Sequence, residues 1–444
     1  MPRAALAALL ILTSCIPYAP RPLDPAANAA AVEGRRLDDP ALRAYAEQSL
    51  GHRFATWPPA TWDLEALTAG ALYFNPDVAV ARAEHASALA AVTTARERPN
   101  PAVNASLQHK DSDPALSPWV SSFGIDLTIE TAGKRAARVA QANESAEAAQ
   151  ARIASVAWST RSRLRARLLD VYAAELRAPL FTDEERIESD IVAIFAKRLE
   201  LGEASQPDLS RARIALDQAR LLLLGARRAA AEGHAGVAGA IGIPDAALGA
   251  VDVQAFAVTP PGDLAASREA ALTARPDVLA ALHDFASADA ALRLEVARQY
   301  PDVHFTPSFG WDQGTLTWLL GAAADVPLFH RHEGPIGEAV AKREEAAARF
   351  TAVQVAVLSS MDAAGQGVRF ARERLDAAEA LVKSQQTQFA TVQRQFDAGE
   401  IDRLALRSSE LEVAAARLAR ADAWIELQQA LGATEDAMQR PLTK

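Results

Sequence analysis

A gapless internal repeat at an offset of 200 residues constrains this 444-residue chain more than any other feature of its sequence. Residues 63–103 align with residues 263–303, and 17 of the 41 positions are identical. Seven of these matches are alanines, which carry little weight in an alanine-rich chain. The other ten include the Pro-Asp-Val triplets at 76–78 and 276–278. A match of this kind indicates a duplicated structural unit, so we expect one architecture to be built twice.

The composition favours helices and argues against nucleic acid as a partner. Ala, Leu, Arg, Glu and Gln dominate, a helix-forming set, and aromatic residues make up 6% of the chain. The formal net charge is −10, and acidic and basic residues are mixed along the chain rather than grouped in blocks. Because nucleic-acid binding needs a basic patch that contacts phosphates, no nucleic-acid partner is expected.

The N-terminal segment up to Cys15 has the pattern of a bacterial export signal. Arg3 supplies a positive charge, residues 4–12 form a short apolar run, and Leu-Thr-Ser-Cys ends at Cys15, the only cysteine. The run is too short to span a membrane as a helix. Leu-Thr-Ser-Cys is similar to a lipobox, in which the cysteine is lipidated; the alternative is a general signal peptide with an incidental cysteine. We favour lipidation, since no second cysteine exists for Cys15 to pair with. By analogy with bacterial lipoproteins, the absence of Asp after the cysteine, where Ile16 stands, favours the outer membrane as the anchor site.

The remaining chain divides into an arm, two repeats and a linker. Residues 16–61 are rich in proline and predict an extended arm with one short helix. The two repeats are expected at residues 62–243 and 263–440, joined by a linker at 244–262. Each repeat opens with two helices, separated by a break before Pro76 or Pro276, because the residue before a proline disfavours the helical region.

The hydrophobic pattern then changes from helical periodicity to strict alternation, which indicates β-strands. Alternation covers 102–108 and 119–129 in the first copy, and 303–311 and 316–326 in the second. Runs of this length suit membrane strands with lipid on one face, whereas a soluble hairpin packed on a helix is the alternative. Tryptophans near the strand ends fit an interfacial aromatic girdle and favour the membrane: Trp119, Trp311 and Trp318.

Two long helical segments follow the strands. Few helix-breaking residues occur in 134–201 or 336–398, which predicts helices of roughly 90–100 Å. Each segment ends at a glycine, Gly202 or Gly399, as is typical of a helix that closes with a left-handed residue, and a return helix follows. Pro179 is expected to interrupt and kink the first long helix.

In a sheet of four strands, the backbone N–H and C=O groups on the outer edges of the two end strands have no hydrogen-bond partners within the chain. In lipid, each such unpaired group costs several kcal/mol. We therefore expect the strands to close with those of other chains. Two chains would give a filled eight-stranded barrel, and three would give twelve strands around a lumen. The helical hairpins would continue such a barrel as a tube of coiled-coil pairs.

Residues 60–440 resemble the TolC family of outer membrane efflux factors. The resemblance rests on the two proline breaks, the hairpins, and the turns at Gly202 and Gly399. Ile-Glu-Thr-Ala-Gly-Lys-Arg at 129–135, and the segment from Pro-Leu-Phe to Gly-Pro-Ile at 327–336, are similar to the branch that serves heavy-metal efflux pumps of the cobalt–zinc–cadmium type.

The resemblance implies a mainly α fold with a membrane β-barrel contribution: a homotrimer whose 12-stranded β-barrel continues as a periplasmic α-barrel. It implies docking to a periplasmic adaptor and an inner-membrane RND transporter, and a place in the outer membrane of a Gram-negative bacterium. The implied function is a passive exit duct for heavy-metal cations or other small molecules. The alternatives are an outer membrane factor for drug efflux or type I secretion and, in another class, a periplasmic coiled-coil adaptor or scaffold lipoprotein.

The helical tips are the predicted functional sites. In a trimer each tip carboxylate would become a ring that gates or selects cations, although nearby basic residues make both tips mixed in charge. The positions predicted to contact the adaptor or transporter are Gly202, Glu203, Leu209, Gly399, Glu400 and Leu406. The predicted gate carboxylates are Glu200, Asp208, Asp397 and Asp402. The alternative for each is a solvated turn.

No chemistry of its own is expected from the chain. The run His330-Arg331-His332-Glu333 offers imidazoles that a borderline metal favours, but no further cluster completes a coordination sphere, so no metal site is predicted. The sequence contains no nucleophile motif, paired-carboxylate spacing or zinc signature, so neither catalysis nor a cofactor is expected.

Overall fold

The computed structural model describes residues 17–110, 118–251, 256, 264–312 and 314–442. The predicted lipobox with Cys15 lies outside the described residues, as do most of the predicted turn at 109–118 and part of the linker.

The arm carries two short helices, α1 (Pro25–Glu33) and α2 (Pro40–Leu50). In repeat one the elements are α3 (Leu64–Phe74), α4 (Pro76–Arg96), β1 (Ala102–His109), β2 (Trp119–Ile129), α5 (Lys134–Glu200) and α6 (Gln206–Ile241). In repeat two they are α7 (Leu264–Ala274), α8 (Pro276–Ala297), β3 (Val303–Asp312), β4 (Thr315–Ala324), α9 (Glu333–Asp397) and α10 (Arg403–Met438).

The arm has one helix more than the sequence predicted, and both helices start by the same local device. Asp24 precedes Pro25 and accepts hydrogen bonds from the amides of the first turn of α1, and Asp39 does the same before Pro40 in α2. An acidic cap followed by proline at the first helical position is a strong start signal. The signal at Asp24 is therefore readable from the sequence, although the prediction of a single helix missed it.

The four strands form one antiparallel sheet in the order β1-β2-β3-β4, so the central β2–β3 pairing joins the two repeats. One rung across the sheet is Ala105–Phe123–Phe309–Trp318, and the next is Ser106–Ser122–Gly310–Thr317. Successive rungs point to opposite faces, so the register confirms one apolar and one largely polar face. The β2–β3 pairing is interrupted at Ile125 and Asp126, opposite Pro307, which has no N–H to donate.

The long helices are unbroken. α5 contains 67 residues and α9 contains 65, which corresponds to about 100 Å each. α5 continues through Pro179, so the predicted interruption is wrong. The proline and Glu175, whose carbonyl loses its helical partner, are both exposed, and water can satisfy that carbonyl. No helix within the described ranges combines the length and the apolar character needed to cross a bilayer.

The largest core lies where the arm, α3, α5 and α6 meet. Its fully buried side chains are Leu42, Leu67, Leu164, Leu168, Val237 and Ile241. Each such side chain contributes about 1.5–3 kcal/mol by leaving water. Arg35 of the arm donates to the carbonyl oxygens of Phe74 at 3.0 Å and Gly242 at 2.8 Å, so it caps the ends of α3 and α6 together. The arm is thereby fixed to repeat one.

Candidate functional site

The first tip is a turn that closes α5 and starts α6. Gly202 has φ +74°, in the left-handed region that favours glycine. The Glu203 amide donates to the Arg198 carbonyl at 2.8 Å, the six-to-one hydrogen bond of a Schellman motif. α6 then begins with a capping box, in which Ser205 and Asp208 each hold the other's backbone amide.

The second tip repeats this geometry in the other copy of the unit. Gly399 has φ +78°, and the Glu400 amide donates to the Gln395 carbonyl at 2.9 Å. Asp402 caps α10 by accepting from the Ala405 amide at 2.8 Å. Both turns are therefore fixed by their own backbone, and the side chains of the neighbouring residues project into solvent.

All four predicted gate carboxylates have a partner within the chain. Glu200 pairs with Lys197 at 2.9 Å and Asp208 with Arg211 at 3.1 Å, each within one helix. Asp397 accepts from the side-chain amide of Gln393 at 3.0 Å. Asp402 differs, because it pairs with Arg198 at 2.5 Å and thereby joins the two tips.

Two of these carboxyl groups are stabilised in the charged form. The Ala405 amide and then the Arg198 guanidinium hold the pKa of Asp402 below its ordinary value. The hydroxyl and amide of Ser205, with a smaller contribution from Arg211, lower the pKa of Asp208. Both groups therefore remain anionic at neutral pH.

The positions predicted to contact a partner fall into two groups. Glu203 and Glu400 are exposed, and within the described part of the chain neither forms an ion pair. Leu209 and Leu406 are instead 4% and 7% exposed, so they pack inside the hairpins rather than forming part of the tip surface. Their burial follows from their place on the first turn of each return helix, on the face that meets the neighbouring helices.

A series of ion pairs between α5 and α10 continues upward from the tips. Successive pairs are Asp190–Arg407 at 2.9 Å, Arg186–Glu410 at 2.6 Å, Arg177–Asp422 at 2.8 Å and Arg161–Glu435 at 2.9 Å. These contacts join the two repeats along most of their length. These pairs were not predicted from the sequence, since the two partners of each pair belong to different repeats and no local pattern marks them.

The apolar face of the sheet carries the three tryptophans at one end only. Trp119, Trp311 and Trp318 lie on three successive apolar rungs beside the hairpin turns, and they are 50%, 48% and 75% exposed. Tryptophan is enriched at membrane–water interfaces, where its amphipathic ring sits at the level of the headgroups.

The Ile129–Arg135 motif converts strand into helix at the opposite end of the sheet. Ala132 and Gly133 both have positive φ, 54° and 75°, which turns the chain into α5. Lys134, largely buried, pairs with Asp302 of repeat two at 2.7 Å. Arg138 pairs with Glu130 at 2.7 Å and caps the end of α4. The motif therefore fixes the sheet to the helices.

The predicted histidine run lies beside the same junction. His332 starts α9 with φ 64° and pairs with Glu295 at 2.8 Å. Across the described ranges, no group of three or more His, Cys, Asp or Glu side chains is placed to hold a metal ion.

A meander of four strands with one apolar face, continued by two helical hairpins that end in glycine turns, defines an outer membrane channel subunit. The chain belongs to the outer membrane efflux protein family, whose sequence profile matches residues 68–243 and 268–434. This family comprises ducts of efflux systems rather than enzymes.

A curated relative confirms the predicted resemblance to the heavy-metal branch. The chain is 25% identical over 304 residues to the cobalt-zinc-cadmium resistance protein CzcC of Cupriavidus metallidurans, covering 67% of this chain and 71% of that protein.

Solved structures share the fold. VceC of Vibrio cholerae superimposes with a TM-score of 0.70 at 17% identity, over 85% of this chain and 96% of VceC. CusC gives a TM-score of 0.68 at 14% identity, over 95% and 98% of the two chains. The open state of MtrE from Neisseria gonorrhoeae gives a TM-score of 0.67 at 17% identity, over 85% of this chain and 89% of MtrE.

Proposed function

We propose that three copies of this chain form the passive outer membrane duct of a tripartite efflux system. The observation that carries the proposal is the pair of unpaired sheet edges. Within the described residues, β1 and β4 each pair on one side only, and the sheet has an exposed apolar face. An open edge is unstable in lipid, and joining β4 of one copy to β1 of the next gives a closed ring of twelve strands from three copies.

The internal repeat supports the same assembly in the helical region. Leu411 and Leu418 of α10 pack against α5 within the chain. Their counterparts in repeat one are Ile214 and Leu221 of α6, which are 58% and 68% exposed. Quasi-equivalent packing would bury these two side chains against α9 of a neighbouring copy. The exposed stripe on α6 is thus explained by a second subunit.

The tips would serve as the docking and gating end. The exposed Glu203 and Glu400, beside Gly202 and Gly399, offer the surface that a periplasmic adaptor contacts. Leu209 and Leu406 would contribute by holding the turns in place. Glu200, Asp208, Asp397 and Asp402 would surround the pore as carboxylate rings, with the Arg198–Asp402 pair keeping the tips together.

The cargo we propose is divalent heavy-metal cations, supplied by an inner-membrane RND transporter. The printed name of CzcC, cobalt-zinc-cadmium resistance protein, supports this choice. Drug efflux or type I secretion remains the alternative for a duct of this shape. The two are separated by deleting the gene in its host. Sensitivity to Zn²⁺, Co²⁺ and Cd²⁺ supports the proposal, and sensitivity confined to lipophilic drugs contradicts it.

Lipidation of Cys15 would anchor the assembly through the arm. Two or three acyl chains hold a protein stably on a membrane. Metabolic labelling with a fatty acid tests this, with Cys15→Ser as the unlabelled control. Incorporation of label into the Cys15→Ser chain, or none into the parent chain, would exclude the anchor.

The channel itself is tested by purification and recording. We expect the full-length protein to require detergent for extraction, to run as a heat-modifiable trimer, and to conduct ions in a planar bilayer. Arg198→Gln, which weakens the contact between the tips, is expected to increase conductance, and Arg228→Gln, which breaks an exposed pair within α6 away from the tips, is the matched control. A urea-soluble monomer, or no conductance from either variant, would contradict the proposal.

A further inference from the structure

We propose that Asp126 and His304 form a transit site for borderline divalent cations, such as Zn²⁺, on the polar face of the sheet. The inference rests on the duct proposed above, in which this face lines the lumen, and it identifies where the cargo is bound on its way out. The Asp126 carboxylate lies 3.2 Å from Nδ1 of His304, and the Thr128 hydroxyl lies 3.4 Å from the same nitrogen. Three donor atoms from two neighbouring strands therefore lie together.

The pair lies on the two internal strands, so all its neighbours in the sheet belong to one copy. β2 pairs with β1 and β3, and β3 pairs with β2 and β4. Ala102 of β1 lies beside Asp126, and Ala323 of β4 lies beside His304. The joint between β4 and β1 of the next copy falls outside these strands and does not change the pair.

The pair is also accessible from the polar face. The side chains of Asp126 and His304 are 29% and 38% exposed, and both flanking positions hold alanine, whose side chain is too short to cover them. A hydrated cation in the lumen can therefore reach the carboxylate and the imidazole.

The charges of the strands favour cations. None of the four strands contains lysine or arginine, and the polar face otherwise carries mainly small or hydroxyl-bearing side chains. The strands contain two carboxylates, and Asp312, at the far end of β3, is paired with Lys110 at 2.7 Å. Asp126 has no lysine or arginine partner among the described residues. Repeated in three copies around a lumen, such a carboxylate attracts cations.

The donor set distinguishes between cations. Imidazole and carboxylate are both common ligands of Zn²⁺, whereas Mg²⁺ prefers oxygen ligands alone and gives up its water reluctantly. At bond lengths of about 2.0–2.2 Å, two ligands at a tetrahedral angle lie about 3.4 Å apart. The distance between Asp126 and His304 is close to this value, at 3.2 Å. A metal ion can therefore replace the proton between the two groups with little movement of either.

Two protein ligands and a nearby hydroxyl make a weak site, which suits an ion in transit. Water fills the other coordination positions, and conduction requires that an ion be held weakly enough to leave. The His332–Glu295 pair at 2.8 Å differs, because Arg298 also donates to that carboxylate at 2.6 Å and places a positive charge beside it. His332 therefore provides a matched control for His304.

The first test measures metal binding and does not require conduction. Zn²⁺ is titrated into the purified full-length protein in detergent, and His304→Asn and Asp126→Asn are compared with His332→Asn. We expect both site variants to weaken Zn²⁺ binding by at least about tenfold, as is typical when a partner in a metal site is lost. His332→Asn should leave it unchanged, since asparagine tolerates the positive φ at that position. No Zn²⁺ binding, undiminished binding in the site variants, or an equal loss in His332→Asn would overturn the assignment.

The second test places the site in the lumen. We expect Zn²⁺ to reduce the potassium current through the parent trimer in a planar bilayer at concentrations where Mg²⁺ has no effect, and His304→Asn to abolish this block. Equal block by Mg²⁺ would indicate attraction by charge alone and would overturn the coordination site. A protein that conducts but binds no Zn²⁺ at this pair overturns the inference alone. One that binds Zn²⁺ there and conducts nothing overturns the proposed duct and leaves the metal site supported.

Discussion

The guanidinium of Arg275 donates to the carbonyl oxygen of Ala437 at 2.6 Å, and the Asn75 amide makes the equivalent hydrogen bond to Ala240 at 2.9 Å. Each donor occupies the break before proline in its own repeat, and each acceptor lies near the end of the return helix. The duplicated unit therefore preserves a contact while exchanging the residue that makes it. Arg275 also pairs with Asp277 at 2.6 Å, so in the second copy the first turn of α8 holds the guanidinium that contacts the end of α10.

Removal of this contact should destabilise either repeat. Arg275→Ala loses the hydrogen bond and leaves Asp277 unpaired, and we expect about 1–3 kcal/mol of lost stability in chemical unfolding followed by circular dichroism. Asn75→Ala should cost about 1–2 kcal/mol, since the side chain is buried. Arg349→Ala removes an exposed pair within one helix and should cost under about 0.5 kcal/mol. Equal effects for all three variants would show that the repeat contact has no special role.

Gly432 is required by the packing of Arg165. A Cβ atom at Gly432 would lie 2.2 Å from the Arg165 guanidinium, which is held by the Gln428 carbonyl at 3.1 Å and by Glu435 at 3.4 Å. Gly432→Ala should therefore lower stability by about 1–3 kcal/mol in the same unfolding assay, as in overpacked cores. Gly225→Ala, with open space around the new methyl group, should stabilise its helix by about 0.5–1 kcal/mol. A stabilising Gly432→Ala would refute the steric argument.

Glu188 should destabilise the native state at neutral pH. It is 7% exposed, has no ion pair or hydrogen bond among the described residues, and burial, with Glu184 nearby, raises its pKa above the ordinary 4.5. For a raised pKa, the stabilising contribution is present below pH 4.5 and lost as pH rises through the folded-state pKa. Glu188→Gln should thus raise the free energy of unfolding at pH 7 by roughly 1 kcal/mol, and should leave it unchanged at pH 4. The exposed Glu175→Gln is the control, and a gain that persists at pH 4 would contradict the explanation.

The Arg198–Asp402 pair should weaken in acid. The pKa of Asp402 is held below its ordinary 3.8, so its contribution is present above pH 3.8 and lost as pH falls through the lower folded-state value. A double-mutant cycle with Arg198→Gln and Asp402→Asn should give about 0.2–1 kcal/mol of coupling at pH 7, as for exposed pairs, and progressively less as the pH falls below 3.8. Asn at position 402 can still cap α10. Coupling that is unchanged at pH 2 would exclude the ion pair as its origin.

The exposed stripe on α6 should be needed for trimer formation and not for folding. Leu221→Glu would place a charge in the proposed contact between copies, and we expect a monomer of unchanged helix content by light scattering and circular dichroism. Val32→Glu on α1 adds the same charge outside the proposed contact and should remain trimeric. A trimeric Leu221→Glu protein would place the subunit interface elsewhere.

The sequence by itself determined the segments of this protein. The breaks at Asn75 and Arg275, the alternating strands, and the turns at Gly202 and Gly399 all lie at or close to their predicted positions. Proline, glycine and hydrophobic period act over short stretches of chain, so their effects can be read locally. Pro179 is the exception, because a long helix with an exposed proline can continue where a short one would end.

Only the tertiary structure decided which segments meet. Arg198 forms an ion pair with Asp402, and Arg161 forms one with Glu435. The sequence offers many other charged residues on these helices as possible partners, and it does not indicate which of them meet. Leu209 and Leu406 resemble exposed turn residues in the sequence and are buried in the fold. The side of each helix that faces a neighbour depends on packing between segments that are far apart in the chain, and the local pattern, which records only that a face is apolar, does not contain that information.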